Sequence, residues 1–321
     1  CATVGVGKMG RHHARLYATT DGCDLVGVVD GNAERATRIT EEWGGKAFST
    51  VRELIDHGVD AVTVATPTVT HRAIVEPLLE AGIACLVEKP LAPDVAEARA
   101  IADCAKRTGS LLQVGHVVRY DPVMVAVREL LAGGTIQPRF IEIDRVSPMT
   151  FRSVDVGVVL DMMIHDLDLA RFLVGEEFVT VSALGAALVD KAIGDEGDCD
   201  TAAVQMQTAS GKIAVITNSR RATYGYDQRI EVHGSKGMLR AGNVHNTTVE
   251  VANAEGFHED PILNFFTERY GQAYSNEVLT FIDAVTNNKP VAPSGHDGLQ
   301  AQKLADAATE SWQSGTPVNV A

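Results

Sequence analysis

Three glycines in the run Gly5-Val6-Gly7-Lys8-Met9-Gly10 stand where a short apolar stretch gives way to a helical pattern, and Asp30 follows Gly10 by 20 positions. These residue types in this order suit a dinucleotide. Gly5 permits a tight turn, Gly7 lets the backbone approach a pyrophosphate, and Gly10 lets a helix pack closely on a strand. The helix N-terminus offers unpaired N–H groups and positive potential to phosphate. A carboxylate at the end of the second strand accepts hydrogen bonds from the adenosine ribose. Asp30 would repel a 2′-phosphate, and Gly31 and Asn32 behind it carry no charge, so NAD is expected in preference to NADP. Arg35 is the nearest residue that could hold a 2′-phosphate, and a solvated helix charge is its plainer reading. Taken alone, the glycine run would equally suit an ordinary helix-capping turn; the spacing to Asp30 favours the dinucleotide.

A second group of residues suits proton transfer. Glu88-Lys89-Pro90 ends an apolar run that reads as a strand. A lysine at the C-terminal end of a parallel strand borders the crevice where such sheets bind ligands, and burial or nearby cations can tune it as an acid or base. Pro90 restricts residue 89, and a cis bond there would fix the lysine's aim. Asp161 and His165 lie four apart on a helical pattern and therefore share a face, with Asp168 one step further around. Oxidation of an alcohol by a nicotinamide needs a base for the hydroxyl proton as hydride leaves carbon. The Asp/His group would also suit a metal, but the chemistry needs none and no other His/Cys grouping supports one, so no metal is expected.

These groups need a scaffold. The first 115 residues alternate strand-like runs (3–6, 25–29, 61–65, 83–87 and 111–114) with helical ones (10–19, 33–43, 51–57, 71–81 and 94–108). Apolar strands without alternation, joined by helical crossovers, predict a parallel doubly wound Rossmann sheet. Beyond it the rhythm changes: a strand over 114–118, a helix over 122–131, a strand over 140–146 and a helix over 160–172. From 178 to 251 longer strands separated by turn signals predict an open, mostly antiparallel sheet, and helices over 274–286 and 298–314 close the chain. The expected division is an NAD-binding domain over 1–117 and a substrate-binding and oligomerisation domain over 118–321.

Bulk properties narrow the function. A chain of 321 residues fits two domains, and 45% hydrophobic against 22% charged residues is ordinary for a globular core. A net charge of −14 disfavours nucleic acid and anionic lipid as partners. No apolar run approaches a membrane span. The chain opens directly in strand-like sequence, so no secretory signal is expected, and a few residues are expected before Cys1. Five scattered cysteines without a Cys-x-x-Cys suit reduced thiols and a cytoplasmic setting.

Ala65-Thr66-Pro67 with His71, Glu88-Lys89-Pro90, and Asp161-Met162-Met163-Ile164-His165-Asp166-Leu167-Asp168, in this order, resemble the Gfo/Idh/MocA oxidoreductase family, over essentially the whole chain. The resemblance implies a Rossmann domain followed by an α/β domain whose open sheet packs in a homo-dimer or homo-tetramer. It implies that Gly5, Gly7, Lys8, Met9, Gly10, Asp30, Thr66, Pro67, His71, Glu88 and Lys89 meet the cofactor. Lys89, Asp161 and His165 would form the catalytic group: His165 exchanges the substrate proton, Lys89 hydrogen-bonds the reacting oxygen, and Asp161 binds the same or a neighbouring hydroxyl. Which of Lys89 and His165 is the base stays open. His12 and His13 are expected to flank the cofactor or face solvent.

The two halves of the chain point to different branches of the family, the N-terminal half to UDP-N-acetylglucosamine 3-dehydrogenases and the C-terminal half to inositol 2-dehydrogenases. Residues 147–160 resemble UDP-N-acetylglucosamine 3-dehydrogenases, whereas the run from Ser219 to Gly237 and Phe265-Phe266-Thr267-Glu268-Arg269-Tyr270 resemble bacterial inositol 2-dehydrogenases. Arg119 (in Arg119-Tyr120-Asp121), Asp168 and Tyr224 are the candidate substrate contacts, with pairing to a local carboxylate an equal alternative for Arg119. The substrate expected is a small polyol or sugar, a cyclitol first and a UDP-sugar second, with Arg152, Arg220 or Arg221 then needed for the diphosphate. A non-catalytic NAD-binding regulatory protein is the alternative of another class, and the intact Lys/Asp/His set weighs against it.

Overall fold

The structure, a computed structural model, describes residues 1–148 and 157–320. The chain divides into two compact units, one of Cys1–His116 with Tyr274–Gln302 and one of Val117–Ala273 with Lys303–Ala321.

In the first unit β1 (Ala2–Val4), α1 (Lys8–Thr19), β2 (Gly27–Val29), α2 (Ala33–Trp43), β3 (Lys46–Phe48), α3 (Val51–His57), β4 (Ala61–Val64), α4 (His71–Glu80), β5 (Ala84–Val87), α5 (Val95–Thr108) and β6 (Leu112–Val114) alternate. The strands form one parallel sheet in the order β3-β2-β1-β4-β5-β6. Every residue of β1, β2, β4, β5 and β6 is buried, as a sheet covered on both faces requires. Caps set the helix starts: Asn32, Thr50 and Asp94 each accept a backbone N–H of the following turn. Gly109 ends α5 in the left-handed conformation that glycine tolerates best.

The sequence gives no sign of β3. Lys46 and Ala47 are exposed and only Phe48 is buried, so this edge strand lacks an apolar run to announce it. The strand expected over 114–118 is also different. The strand ends at Val114, and Val117–Tyr120 forms a 3₁₀ turn. His116 N–H donates to the Val114 carbonyl, which turns the chain out of the sheet.

The second unit opens with α6 (Pro122–Ala132), started by Asp121 as cap and Pro122 in the first turn. It continues through β7 (Pro138–Val146), a π turn at Val159–Met163, α7 (Ile164–Val174), β8 (Phe178–Ala186), α8 (Lys191–Asp195), β9 (Thr201–Thr208), β10 (Ile213–Ser219), β11 (Asp227–Gly234) and β12 (Gly237–Ala241). A hairpin, β13 (Glu250–Asn253) and β14 (Gly256–Glu259), and a short helix, α9 (Phe266–Arg269), lead to the long helices α10 (Gly271–Asn287) and α11 (Gly295–Ser314) and to β15 (Val318–Asn319). Tyr274–Gln302, most of α10 and the start of α11, belongs to the first unit.

The large sheet runs β12-β11-β7-β10-β9-β8-β15, with β7–β10 parallel and every other pairing antiparallel. Strict alternation along β9 and β10 shows one face buried and one open. Inside this unit α11 is tied to the sheet by Ser311, which accepts the Ala183 N–H at 2.9 Å, and by Trp312, whose indole N–H donates to the Gly185 carbonyl at 2.7 Å.

Candidate active site

The first unit brings the glycine run, the Ala65-Thr66-Pro67 segment and Asp30 together. Gly5 has φ +81°, and a Cβ there would lie 2.7 Å from both the Ala65 carbonyl oxygen and the Thr66 methyl. A Cβ on Gly10 would fall 1.7 Å from the Gly5 carbonyl oxygen, so helix and turn meet at van der Waals limits only with glycine at both places. Asp30 closes the group: one oxygen accepts the Val6 N–H and the other the Asn32 N–H, each at 2.8 Å. Arg35 reaches the same carboxylate at 3.4 Å.

A dinucleotide fits these residues. Among the described residues nothing lies within 4 Å of a Cβ built on Gly7, so none of them demands glycine there. The N-terminus of α1 has no side-chain cap and no acid in its first turn, which keeps its positive potential available to a pyrophosphate. Each Asp30 oxygen retains acceptor capacity beyond its one backbone N–H.

His71 and Glu88 occupy more particular positions. The buried His71 ring sits between two carbonyls, Nε2 at 3.0 Å from Thr66 O and Nδ1 at 3.1 Å from Leu91 O, and so ties the Thr66 segment to the stretch after Lys89-Pro90. Burial lowers its pKa. Glu88 pairs with His13 at 2.8 Å. Burial alone would push Glu88 up, but the His13 hydrogen bond and charge and the Lys89 charge hold it below the usual carboxylate range. Lys89 is partly exposed, and the Lys89–Pro90 bond is cis. His13 is wholly buried, and its neighbour His12, under the edge of Tyr274 at 5.2 Å, is pulled down to about 4 by burial and by the His13 and Arg15 charges. The His13–Glu88 pair was not legible in the sequence, where two adjacent histidines on a helix give no hint of which one turns inward.

In the second unit the Asp161–Asp168 segment begins as a π turn and continues as α7. Along 158–171 every residue is buried except Leu160, Asp161 and His165. The two polar side chains that the spacing singles out are therefore the ones this helix leaves accessible, on one face. π turns recur at functional sites. Asp161 lies 3.2 Å from Arg220 at the end of β10.

The other acids of the motif point inward. Asp166 and Arg145 are both fully buried, and Arg145 donates from Nε and Nη2 to the Asp166 carboxylate and from Nη1 to the hydroxyls of Tyr226 (2.7 Å) and Tyr270 (3.1 Å). Asn218 donates a further bond to Asp166 at 3.0 Å. Asp168 and Arg119 form a bidentate pair at 2.6 and 2.7 Å, with the guanidinium 4.7 Å from the Phe172 ring centre. Two candidate substrate contacts thus meet each other. Tyr224 is exposed, and its hydroxyl donates to Asp227 at 2.6 Å. Sequence reasoning missed Arg145, although it shares the strand parity of Ile141 and Ile143 and so had to turn into the core with them. Arg152 lies outside the described residues.

Comparison with known proteins agrees with this geometry. Residues 1–116 match the model of an oxidoreductase family with an NAD-binding Rossmann fold, and residues 150–320 match its C-terminal alpha/beta domain. An inositol 2-dehydrogenase of Rhizobium meliloti is 41% identical over 99% of this chain and 98% of its own length. A UDP-N-acetylglucosamine 3-dehydrogenase of Acidithiobacillus ferrooxidans is also 41% identical, over 68% of this chain and 66% of its own. Among solved structures, scyllo-inositol dehydrogenase from Lactobacillus casei with bound NAD(H) and scyllo-inositol superposes with a TM-score of 0.93 at 28% identity, covering 99% of this chain and 98% of that one. With both of its domains matched and a full-length relative at 41% identity, the chain belongs to the Gfo/Idh/MocA family of NAD-binding oxidoreductases.

Proposed function

We propose that this enzyme oxidises a secondary ring hydroxyl of a cyclitol with NAD, as an inositol 2-dehydrogenase does. The first unit holds the cofactor through Gly5, Gly7, Lys8, Met9, Gly10, Asp30, Thr66, Pro67 and the Glu88-Lys89 segment, and the second carries the substrate. NAD supplies one thing to the reaction, acceptance of the hydride from the carbinol carbon. The chain's own residues handle the proton. His165 takes it from the hydroxyl, Lys89 hydrogen-bonds the reacting oxygen as negative charge develops there, and Asp161 accepts a hydrogen bond from the same or a neighbouring hydroxyl. The observation that carries the reading is the pairing of Asp161 and His165 as the accessible polar positions of an otherwise buried helix.

A cyclitol is favoured over a UDP-sugar by the Asp161–Arg220 pair, which engages one of the arginines a diphosphate would need. The shared identity with a UDP-N-acetylglucosamine 3-dehydrogenase over two thirds of the chain keeps that substrate as the second reading. The enzyme works in the cytoplasm as a homo-oligomer, a setting that suits its five free cysteines.

The test is NADH formation from NAD with myo-inositol, scyllo-inositol, glucose or UDP-N-acetylglucosamine. Turnover with an inositol is expected; turnover with the UDP-sugar alone would replace the first reading by the second.

A further inference from the structure

Behind the Glu88-Lys89 segment lies a cluster of buried polar groups that cofactor binding does not explain. Glu277 of α10 is fully buried, and neither of its carboxyl oxygens has a hydrogen-bond partner among the described residues. The same holds for Nδ1 of His13 on α1, Oγ1 of Thr3 on β1 and Oε1 of Gln113 on β6. Gln113 donates to the backbone carbonyl of Glu277 at 3.4 Å, so strand and helix meet there. Glu88 is the charged member of the cluster. Its carboxylate takes the His13 ring at 2.8 Å and sits over Gly115, where a Cβ would come within 3.1 Å of Oε2. The groups that face Glu88 are His12 and His13 from α1, His71 from α4, Glu277 from α10 and the adjoining Lys89; those that face Glu277 are Glu88 and Tyr17.

A charged Glu277 would oppose the ionised Glu88, and a carboxylate with no donor is costly to bury. One proton resolves both problems. The His13 bond and the Lys89 charge favour ionisation at Glu88, so the proton belongs on Glu277. Burial, reinforced by the Glu88 charge, moves Glu277 well above the usual carboxylate range.

We propose that His13 and Glu88 are positioning residues for Lys89, and that Glu277 is a neutral carboxylic acid whose proton leaves Glu88 as the one charged carboxylate behind that lysine. The role given to Lys89 rests on the proposed function. The Lys89 backbone N–H and the Lys89 charge both bear on the Glu88 carboxylate, which is how the cluster reaches the reacting group. Nothing is transferred to substrate by these residues; they fix where the lysine stands.

Infrared spectroscopy tests the proton without substrate or cofactor. Wild type at neutral pH should show the carbonyl stretch of a protonated carboxylic acid, and Glu277→Gln should lack it; a wild-type spectrum without that band overturns the assignment. Kinetics tests the positioning. His13→Leu should lower kcat by roughly tenfold or more, with the KM for NAD little changed, and should alter the pH profile of kcat/KM. His13→Gln, which can still donate to Glu88, should recover most of both. A His13→Leu enzyme that binds NAD normally and keeps wild-type kcat and profile would overturn the positioning role. If Lys89→Ala retained turnover while the infrared band stood, the reading of Lys89 would fail and Glu277's proton would not.

Discussion

Each unit of this enzyme buries charge next to a residue of the proposed catalytic group, and they do so in opposite ways. In the second unit Arg145 and Asp166, fully enclosed, bond to each other, and two tyrosine hydroxyls and Asn218 add further bonds to the pair. In the first unit His13, Glu88 and Glu277 share an interior with several polar atoms that have no partner among the described residues. A well-paired network in a low dielectric specifies one arrangement, whereas an unsaturated one keeps groups whose protonation can change. The first holds the helix that presents Asp161 and His165. The second leaves a proton near Lys89.

Breaking the well-paired network should have the largest effect. Arg145→Leu leaves Asp166 buried and unpaired, and unfolding in urea should show a loss of about 3–5 kcal/mol. Replacing both members, Arg145→Met with Asp166→Leu, should recover a large part of that loss, because burial of an ion pair is itself costly. Retention of full stability in Arg145→Leu would show that the pair is not the anchor of α7.

The unsaturated cluster should respond less to mutation and more to pH. Glu277 has its folded pKa raised, so its contribution to stability is fully present below the unfolded carboxylate value of about 4.3 and is lost as pH rises toward the folded value. Glu277→Gln carries no such proton. Its stability relative to wild type should therefore rise with pH above that point, by up to about 1.4 kcal/mol per pH unit until Glu277 ionises. Melting curves across this range that run parallel for the two proteins would contradict a retained proton. At the small end, breaking the exposed Arg11–Glu42 pair by Arg11→Ala should change stability by less than about 1 kcal/mol, a contrast that calibrates both buried clusters.

The comparison also shows what could be read from the sequence. The glycine run, Asp30 and the Asp161–His165 spacing were legible because local geometry forces them: a turn without side chains, a strand end 20 residues on, two positions on one helical face. The parallel first sheet was legible from apolar strands between helices, and the antiparallel second from its turns. The rest depends on contacts between segments distant in the chain. Residue types do not disclose that His13 turns to Glu88, 75 positions away, or that Arg119 closes on Asp168, 49 positions away. β3 escaped because an edge strand needs little apolar sequence, and the π turn at Val159–Met163 because one widened turn leaves the hydrophobic pattern almost unaltered.

The central claim is that Lys89 and His165 assist hydride departure from the carbinol carbon of a cyclitol. It is tested most directly by supplying NAD and myo-inositol deuterated at the carbinol carbon. The account predicts that the deuterium appears in the reduced nicotinamide, that turnover slows relative to unlabelled substrate when hydride transfer limits the rate, and that Lys89→Ala and His165→Ala each lose turnover by about a hundredfold or more. Reduced nicotinamide free of deuterium, or undiminished turnover in either variant, would contradict it.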